Sequence, residues 1–484
     1  MRNLLDAPSQ RMITILETLT IHGGWITLSE LSSLVTASER TVATDVSNLQ
    51  KKWGKSLNIE VSRKNGVLMH NRNFNCIGHV VTDLFNDSVA LLWIKELLFH
   101  PNMAIEFYES KLFASRSTLL RLLSRINHSL SDKGIEILCD NNRYQLIGKD
   151  EQYLRDFSAS FLLELYGLNL QKYDITIDLN VTREMIMSTI SQNLEDIELS
   201  WIINDDVAIT YLLMFYLISL VRENQGYTVA SNYPVEKEID MQKFIYIQEQ
   251  FSNITIDNLR PIHQMVFNRY CGWDSETEKG LVTQETEAFF HRIFSIIPVS
   301  PNNNTKRLMR FMLESLYLTQ RYRPTKTSAL FDRVYYFALS LKRTNAFLYQ
   351  VIEDNLKLFF QNVHLDINSN ISNALFWLCL TCPELSQYSQ PKKALLIADF
   401  GMPHAKFLAK VLSDFFSRSN TSSLQVDIAQ PSQSLSVNDT RNYDIIITTK
   451  PDFKMQHEKV FMINDYPSDA DLMQLYITIS NLSL

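Results

Sequence analysis

The sequence has little glycine, no membrane-length apolar stretch and no excess of positive charge. Only 12 of its 484 residues are glycine, and just four of these fall between residues 160 and 390, where apolar residues recur at helical spacing. We therefore predict that this middle part is all α-helical. Its longest apolar run, "VAITYLLMFYLISLV" at residues 207–221, is shorter than the roughly 20 residues that cross a bilayer. We expect a buried helix there and no membrane segment.

The charge of the chain is unevenly distributed. The net charge is −7; residues 1–160 carry 18 Lys and Arg against 17 Asp and Glu, and the remainder carries 28 against 36. An asymmetry this mild does not by itself establish nucleic-acid binding.

Cysteine usage indicates no disulfide framework. The five cysteines are an odd number, and the start of the chain has no signal-peptide pattern, so we expect a cytoplasmic protein. Cys379 and Cys382 form a CxxC, but a zinc site would need a second pair of ligands, and these two lie in the apolar "ALFWLCLTCPEL". We interpret them as structural and predict no metal, no cofactor and no catalytic residues.

One segment occurs twice. The stretch "ASERTVATDVSNLQKKW" (37–53) is followed 77 residues later by "ASRSTLLRLLSRINHSL" (114–130). Each predicts an amphipathic helix with a serine N-cap, Ser38 or Ser115. The predicted apolar stripes are Val42, Val46, Leu49 and Trp53 in the first helix and Leu119, Leu123, Ile126 and Leu130 in the second.

The flanking sequence completes the same motif around both segments. Thr27 and Glu30 have the spacing of a capping box for a short helix that ends near Val35, three residues before Ser38. After each long helix comes a hairpin pattern, with Asn65-Gly66 in the first turn and Asn141-Asn142 in the second. Two winged helix-turn-helix units are therefore predicted, in residues 1–72 and 73–160.

A winged helix-turn-helix places the polar face of its second helix in the major groove of double-stranded DNA, and basic wing residues suit phosphate contact. An amphipathic helix with a basic outer face also occurs as a plain solvated surface, but a second copy in register favours DNA. The first copy is the predicted reader; Leu120 and Leu122 flank the second helix, so that copy either contacts DNA or serves in packing or dimerisation. The predicted contact residues are Ser38, Arg40, Thr41, Thr44, Ser47, Asn48, Lys51, Lys52, Arg63, Lys64, Arg116, Ser117, Arg121 and Arg125.

Three further domains are predicted. Loop-like stretches at residues 270–284 and 382–393 divide the middle into two helical bundles, 161–283 and 284–390. From residue 391 to 484 short apolar runs, "KALLIADF", "SLQVDIA", "YDIIITT" and "KVFMIND", are accompanied by helices near 404–417 and 467–482. That alternation predicts a small α/β domain with a parallel sheet.

This order of domains, with the two "AS-x-x-T" helix starts, resembles the Mga and AtxA type of virulence regulators. The resemblance implies a transcription regulator, commonly an activator, with two PTS regulatory domains (PRDs), an EIIB-like end domain and dimers formed through the C-terminal parts. It also implies phosphorylation of a PRD histidine, with His364 and then His263 as candidates, by the phosphocarrier protein of the sugar phosphotransferase system. Two features depart from the pattern: "VAITYLLMFYLISLVREN" has no histidine, and the loop "IADFGMPHA" has no cysteine.

Two other functions are compatible with parts of the pattern. A phosphotransferase enzyme or carrier using the EIIB-like domain would need a thiolate in the loop, which is missing. An RNA-binding antiterminator also carries PRDs, but its RNA-binding domain is a small β-structure, whereas the N-terminus here is predicted to be helical.

Overall fold

The computed structural model describes residues 2–72, 74–168, 178–229, 239–322, 332–365, 371–388, 391–418, 424–429, 440, 442–451 and 459–481. The chain divides into two compact bodies. The N-terminal body holds Met1–Trp273 and Leu318–Arg333, and the C-terminal body holds Asp274–Tyr317 and Val334–Leu484. The described residues are mainly helical, as predicted.

The first winged unit is formed as the sequence predicts. Its helices are α1 (Ala7–His22), α2 (Leu28–Val35) and α3 (Glu39–Leu57), followed by the hairpin strands β1 (Ile59–Ser62) and β2 (Gly66–Met69). The Thr27–Glu30 capping box begins α2, and Ser38 caps α3. All four residues of the predicted apolar stripe in α3 are buried.

The second winged unit repeats this arrangement after a connecting helix, α4 (Phe74–Asn86). It comprises α5 (Val89–Phe99), β3 (Met103–Ala104), α6 (Ile105–Leu112), α7 (Arg116–Leu130), β4 (Ile135–Asp140) and β5 (Arg143–Gly148). One detail of the predicted stripe was wrong: in α7 it is Leu122 that is buried, and Leu123 is only partly covered. The core contact of α7 is rotated by one residue because its apolar side includes Leu122.

The 77-residue repeat extends to the strand pairing. Before α2, Ile26 forms a bridge with Val67 of β2; 77 residues later, Met103 pairs with Tyr144 of β5. The residue after each short helix is left-handed, with a φ of 53° at Thr36 and 50° at Phe113. The two units therefore share backbone geometry down to single residues.

The helices after the second unit confirm an all-α middle part. They are α8 (Glu151–Tyr166), α9 (Leu179–Ile190), α10 (Asp196–Asn204), α11 (Asp206–Asn224), α12 (Met241–Gln250), α13 (Ile256–Cys271), α14 (Glu276–Ile296), α15 (Asn303–Tyr322), α16 (Arg333–Thr344), α17 (Ala346–Asn362), α18 (Ile371–Thr381) and α19 (Pro383–Gln387). Helices α8 and α14 continue through the predicted domain limits at residues 160/161 and 283/284.

Helix α11 contains the long apolar run and is buried along most of its length, as predicted. No single helix among the described residues is long and apolar enough to cross a membrane; α10 and α11 pass that test only together, as a pair bent by 81°.

The C-terminal strands form the predicted parallel sheet. Strands β6 (Lys392–Ile397), β7 (Leu424–Ile428), β8 (Ile445–Thr448) and β9 (Val460–Met462) lie in the order β7-β6-β8-β9, with every pair parallel. Helices α20 (Met402–Arg418) and α21 (Asp469–Asn481) occupy the two predicted positions. Side chains from α20 and α21 pack with inward residues of the sheet, such as Leu396 and Ile445, in one core.

Cys379 and Cys382 are buried thiols. Burial raises the pKa of Cys379 to about 12 and that of Cys382 to about 11. Within the described ranges, no group of three or more His, Cys, Asp or Glu side chains could hold a metal ion.

Candidate nucleic-acid interface

The start of α3 is held by local hydrogen bonds and presents a polar face to solvent. The Thr41 amide donates to Ser38 Oγ at 3.2 Å, which satisfies one of the unpaired amides of the first turn. Thr44 Oγ1 donates to the Arg40 carbonyl oxygen at 2.9 Å. Arg40, Thr44, Asn48 and Lys51 are exposed at successive turns, whereas Thr41 and Ser47 are half-buried. The predicted contact residues of α3 therefore lie on or beside one exposed face.

The cations of this face differ in their intramolecular contacts. Among the residues that the structure describes, Arg40 and Lys51 have no hydrogen-bond or ion-pair partner, and the same holds for the Asn48 amide. Lys52 Nζ lies 2.7 Å from Asp87 Oδ2 and 4.6 Å from the centre of the Trp53 ring. Arg40 and Lys51 are thus available to an external anion, and Lys52 is already neutralised in part.

The first wing adds two cations at its tip. Ser62 Oγ accepts from the amides of Lys64 at 3.3 Å and Asn65 at 3.2 Å, which closes the turn. The side chains of Arg63 and Lys64 are exposed and make no polar contact within the described part of the chain. Unpaired cations on an exposed tip suit contact with phosphate oxygens.

Charge separates the two winged units. Residues 1–72 contain nine Lys and Arg against six Asp and Glu, whereas residues 73–160 contain nine against eleven. The surplus of positive charge in the N-terminal third therefore belongs to the first unit alone.

The second recognition helix has the same cap but different contacts. The Thr118 amide donates to Ser115 Oγ at 3.3 Å, and Ser117 Oγ lies 3.0 Å from that oxygen. Arg116 Nη1 donates to Glu106 Oε1 at 3.0 Å, and Nη2 donates to Asn142 Oδ1 at 3.3 Å.

Further along α7, the guanidinium of Arg125 donates to the Leu4 carbonyl oxygen. Of the three arginines predicted to contact DNA from α7, only Arg121 is without a polar partner among the described side chains.

Sequence reasoning missed a buried ion pair under the first recognition helix. Asp45 is 3% exposed, and Arg11 Nε of α1 donates to its Oδ2 at 2.8 Å. The equivalent residue of the second unit is Leu122. The available signal was an acidic residue next to Val46 in the predicted apolar stripe.

The two candidate phosphorylation sites have opposite environments. His263 on α13 is 7% exposed; its Nε2 lies 2.9 Å from Tyr216 Oη and its Nδ1 3.3 Å from Thr189 Oγ1. Burial raises the pKa of Tyr216. His364 is exposed just after α17, with a φ of 58°.

Comparison with known proteins supports the identity of both winged units. The family model described as the M protein trans-acting positive regulator (MGA) HTH domain matches residues 9–64, and the Mga helix-turn-helix domain model matches residues 75–162. These ranges cover α1–β1 and α4–α8, respectively.

Three curated relatives extend the similarity beyond these units. A putative trans-acting regulator of Streptococcus pneumoniae serotype 4 is 23% identical over 479 residues, covering 93% of this chain and 92% of its own. The capsule synthesis positive regulator AcpA of Bacillus anthracis is 23% identical, covering 48% of this chain and 46% of its own, and AcpB of the same organism is 22% identical, covering 51% and 47%. With its two winged units matched in order, the chain belongs to the Mga/AtxA family of helix-turn-helix transcription regulators.

Proposed function

We propose that this protein is a transcription activator whose first winged unit reads promoter DNA. The observation that carries the proposal is the set of exposed, partner-free cations on α3 and its wing, Arg40, Lys51, Arg63 and Lys64, in a chain of net negative charge. Such cations displace condensed counterions from DNA, whereas intramolecularly paired ones gain less. Activation is proposed because two relatives are named as positive regulators.

The test is a gel-shift titration of the full chain on a promoter-length duplex at two salt concentrations. Arg40→Gln and Lys51→Gln should each lower the slope of log affinity against log salt by about 0.9, because each removes one phosphate contact. Lys406→Gln, the same charge change at an exposed position of α20, is the matched control and should leave the slope unchanged. Equal slopes for all three variants would contradict the proposal.

We further propose that regulation acts through His364. Its ring is exposed, whereas both ring nitrogens of His263 face polar groups of the core. A phosphoryl group adds up to two negative charges, which an exposed site accommodates at the smallest desolvation cost. Transfer from the phosphorylated sugar-system phosphocarrier should label wild-type protein and His263→Ala and spare His364→Ala. Labelling of His364→Ala at the wild-type level would overturn this assignment.

We also propose that the C-terminal α/β domain, EIIB-like in its parallel sheet, mediates self-association. Phe400 and Tyr466 are 81% and 77% exposed, and both belong to an aromatic cluster with His404 and Phe407 beside the carboxyl end of the sheet. Large exposed apolar clusters mark protein contact sites. Phe400→Ser with Tyr466→Ser should shift the protein towards monomer in sedimentation velocity; an unchanged dimer would place the contact elsewhere.

Self-association would strengthen DNA binding without new contacts. A dimer makes the second binding event intramolecular, at an effective local concentration far above that of free protein. The monomeric variant should therefore bind a site with two half-sites more weakly, and a site with a single half-site as wild type does.

A further inference from the structure

The segment before α1, residues 2–5, is fixed to the first winged unit. Arg2–Leu4 forms one tight helical turn, and both Leu4 and Leu5 are at most 1% exposed. Arg2 forms an ion pair with Glu17 of α1, and Gln10 Nε2 donates to the Leu5 carbonyl oxygen at 2.8 Å. We call this segment the N-terminal turn.

The opposite side of the N-terminal turn contacts the recognition helix of the second unit. Ser129 Oγ donates to Asn3 Oδ1 at 2.6 Å, and the Arg125 guanidinium donates to the Leu4 carbonyl oxygen. The second of these bonds is charge-assisted and therefore stronger than a neutral one. A segment of the first unit is thus bonded to the C-terminal half of α7.

The first recognition helix is held in a reciprocal way. Trp53 Nε1 donates to Asp83 Oδ2 at 2.7 Å, and Lys52 Nζ is bonded to Asp87. Both acceptors belong to the end of α4 or the loop after it, immediately before α5 of the second unit. Each recognition helix is therefore attached, through its C-terminal half, to the segment that precedes the first helix of the other unit. Reciprocal contacts of this kind are typical of two-fold related subunits.

We propose that Arg125 and Ser129 are positioning residues that lock the two winged units into one rigid reader with a fixed separation between α3 and α7. The proposal rests on the function proposed above. Arg125 spends its charge inside the protein, so the free N-terminal halves of the two helices face the DNA, as they do in helix-turn-helix complexes. The DNA target of a single chain is then a pair of sequence elements at one invariant spacing.

Spacing provides the test, because an insertion of about five base pairs turns one element by about half a helical turn relative to the other. A site is first selected from random duplexes with the full-length wild-type chain, and its two protected segments are located by footprinting. The insertion is placed between them, and both duplexes are titrated with each variant. Wild type should bind the inserted site at least about tenfold more weakly, and Arg125→Gln/Ser129→Ala should reduce this penalty to under about threefold, since the freed unit can follow the displaced element.

Two controls separate positioning from DNA contact. Arg121→Gln removes the same charge from an exposed, partner-free arginine of the same helix; it should lower the salt slope by about 0.9 and keep the spacing penalty. Arg125→Gln alone should keep the salt slope. Asn3→Ala breaks the clamp from the other side without changing charge and should relax the spacing penalty, which guards against a folding defect in α7.

The outcomes distinguish this inference from the function on which it rests. A wild-type affinity that ignores the insertion, or an Arg125→Gln slope that falls as far as that of Arg121→Gln, would overturn the clamp. If those results appear while Arg40→Gln still weakens binding, only the clamp is lost. Unaltered binding by Arg40→Gln would contradict the proposed reader itself.

Discussion

The two winged units are nearly the same backbone with different surfaces. Their serine caps, their left-handed turn residues and their strand bridges repeat at a spacing of 77 residues. These features depend on local hydrogen bonds and strand pairing, which tolerate many side chains on the outer face. The repeat therefore conserves the module and leaves its chemistry free to diverge.

The divergence runs in one direction. In the first unit Arg40 and Lys51 extend from the helix without a partner, and an ion pair from Arg11 to Asp45 supports the helix from below. In the second unit the outer arginines at 116 and 125 are bonded within the chain, and Leu122 replaces the buried acid. The difference teaches that a recognition helix can retain its cap and core while its cations are redirected to hold the protein together.

The largest expected difference between the units lies at the start of the second hairpin strand. Gly66 has a φ of 95°, and a Cβ there would lie 2.0 Å from the Ile26 carbonyl oxygen, whereas the equivalent residue of the second unit is Arg143. We expect Gly66→Ala to destabilise the first unit by about 3 kcal/mol, because the bridge must open to relieve the clash. Hydrogen exchange of the Val67 amide measures this locally.

Arg143→Ala is the matched change in the second unit. The Arg143 side chain is exposed and donates one hydrogen bond to the Asn102 carbonyl oxygen. Its loss should lower local stability by less than about 1 kcal/mol. Comparable losses for both substitutions would show that the close approach at Gly66 is easily relaxed.

DNA affinity provides the next largest contrast. Arg40→Gln/Lys51→Gln should weaken binding by a factor of about 100, since each lost contact of this kind is worth about 1–3 kcal/mol. Arg116→Gln/Arg121→Gln removes the same charge from the second helix, but Arg116 is already paired with Glu106. That variant should lose less than about tenfold, as only Arg121 is free to contact DNA. Equal losses at the same salt concentration would remove the functional distinction between the units.

Sequence reasoning succeeded where the determinants are local. Serine caps, the Asn65-Gly66 turn and alternating apolar strands predicted both winged units and the C-terminal sheet, because each signal spans only a few residues. It failed where partners are distant in sequence: Arg125 was predicted to face DNA from its place on the helix, but its acceptor is the carbonyl of Leu4, 121 residues away. Periodicity likewise gave no reason to expect Asp45 inside the core or Leu122 rather than Leu123.

The ion pair beneath α3 offers a smaller test of the comparison. Arg11→Ser leaves Asp45 buried without its cation and should destabilise the first unit by about 2 kcal/mol, below the 3–5 kcal/mol of fully buried pairs because Arg11 is partly exposed. Arg11→Ser/Asp45→Leu introduces the residues that the second unit has at these positions and should recover at least half of the loss. Thermal unfolding followed by near-ultraviolet circular dichroism measures both. A double variant less stable than the single one would mean that the apolar solution does not transfer between the units.

The smallest expected effect concerns the helix caps, which the two units share. Ser38→Ala and Ser115→Ala should each lower local stability by about 1 kcal/mol, because each removes the acceptor of a first-turn amide. Ser→Asp keeps the cap at either position and adds a negative charge at the helix start. Ser38→Asp should therefore retain stability and weaken DNA binding by repelling phosphate, whereas Ser115→Asp should retain stability and weaken binding less. If Ser115→Asp weakens binding as strongly, the start of α7 lies as close to phosphate as that of α3, and the units differ only in the C-terminal halves of their recognition helices.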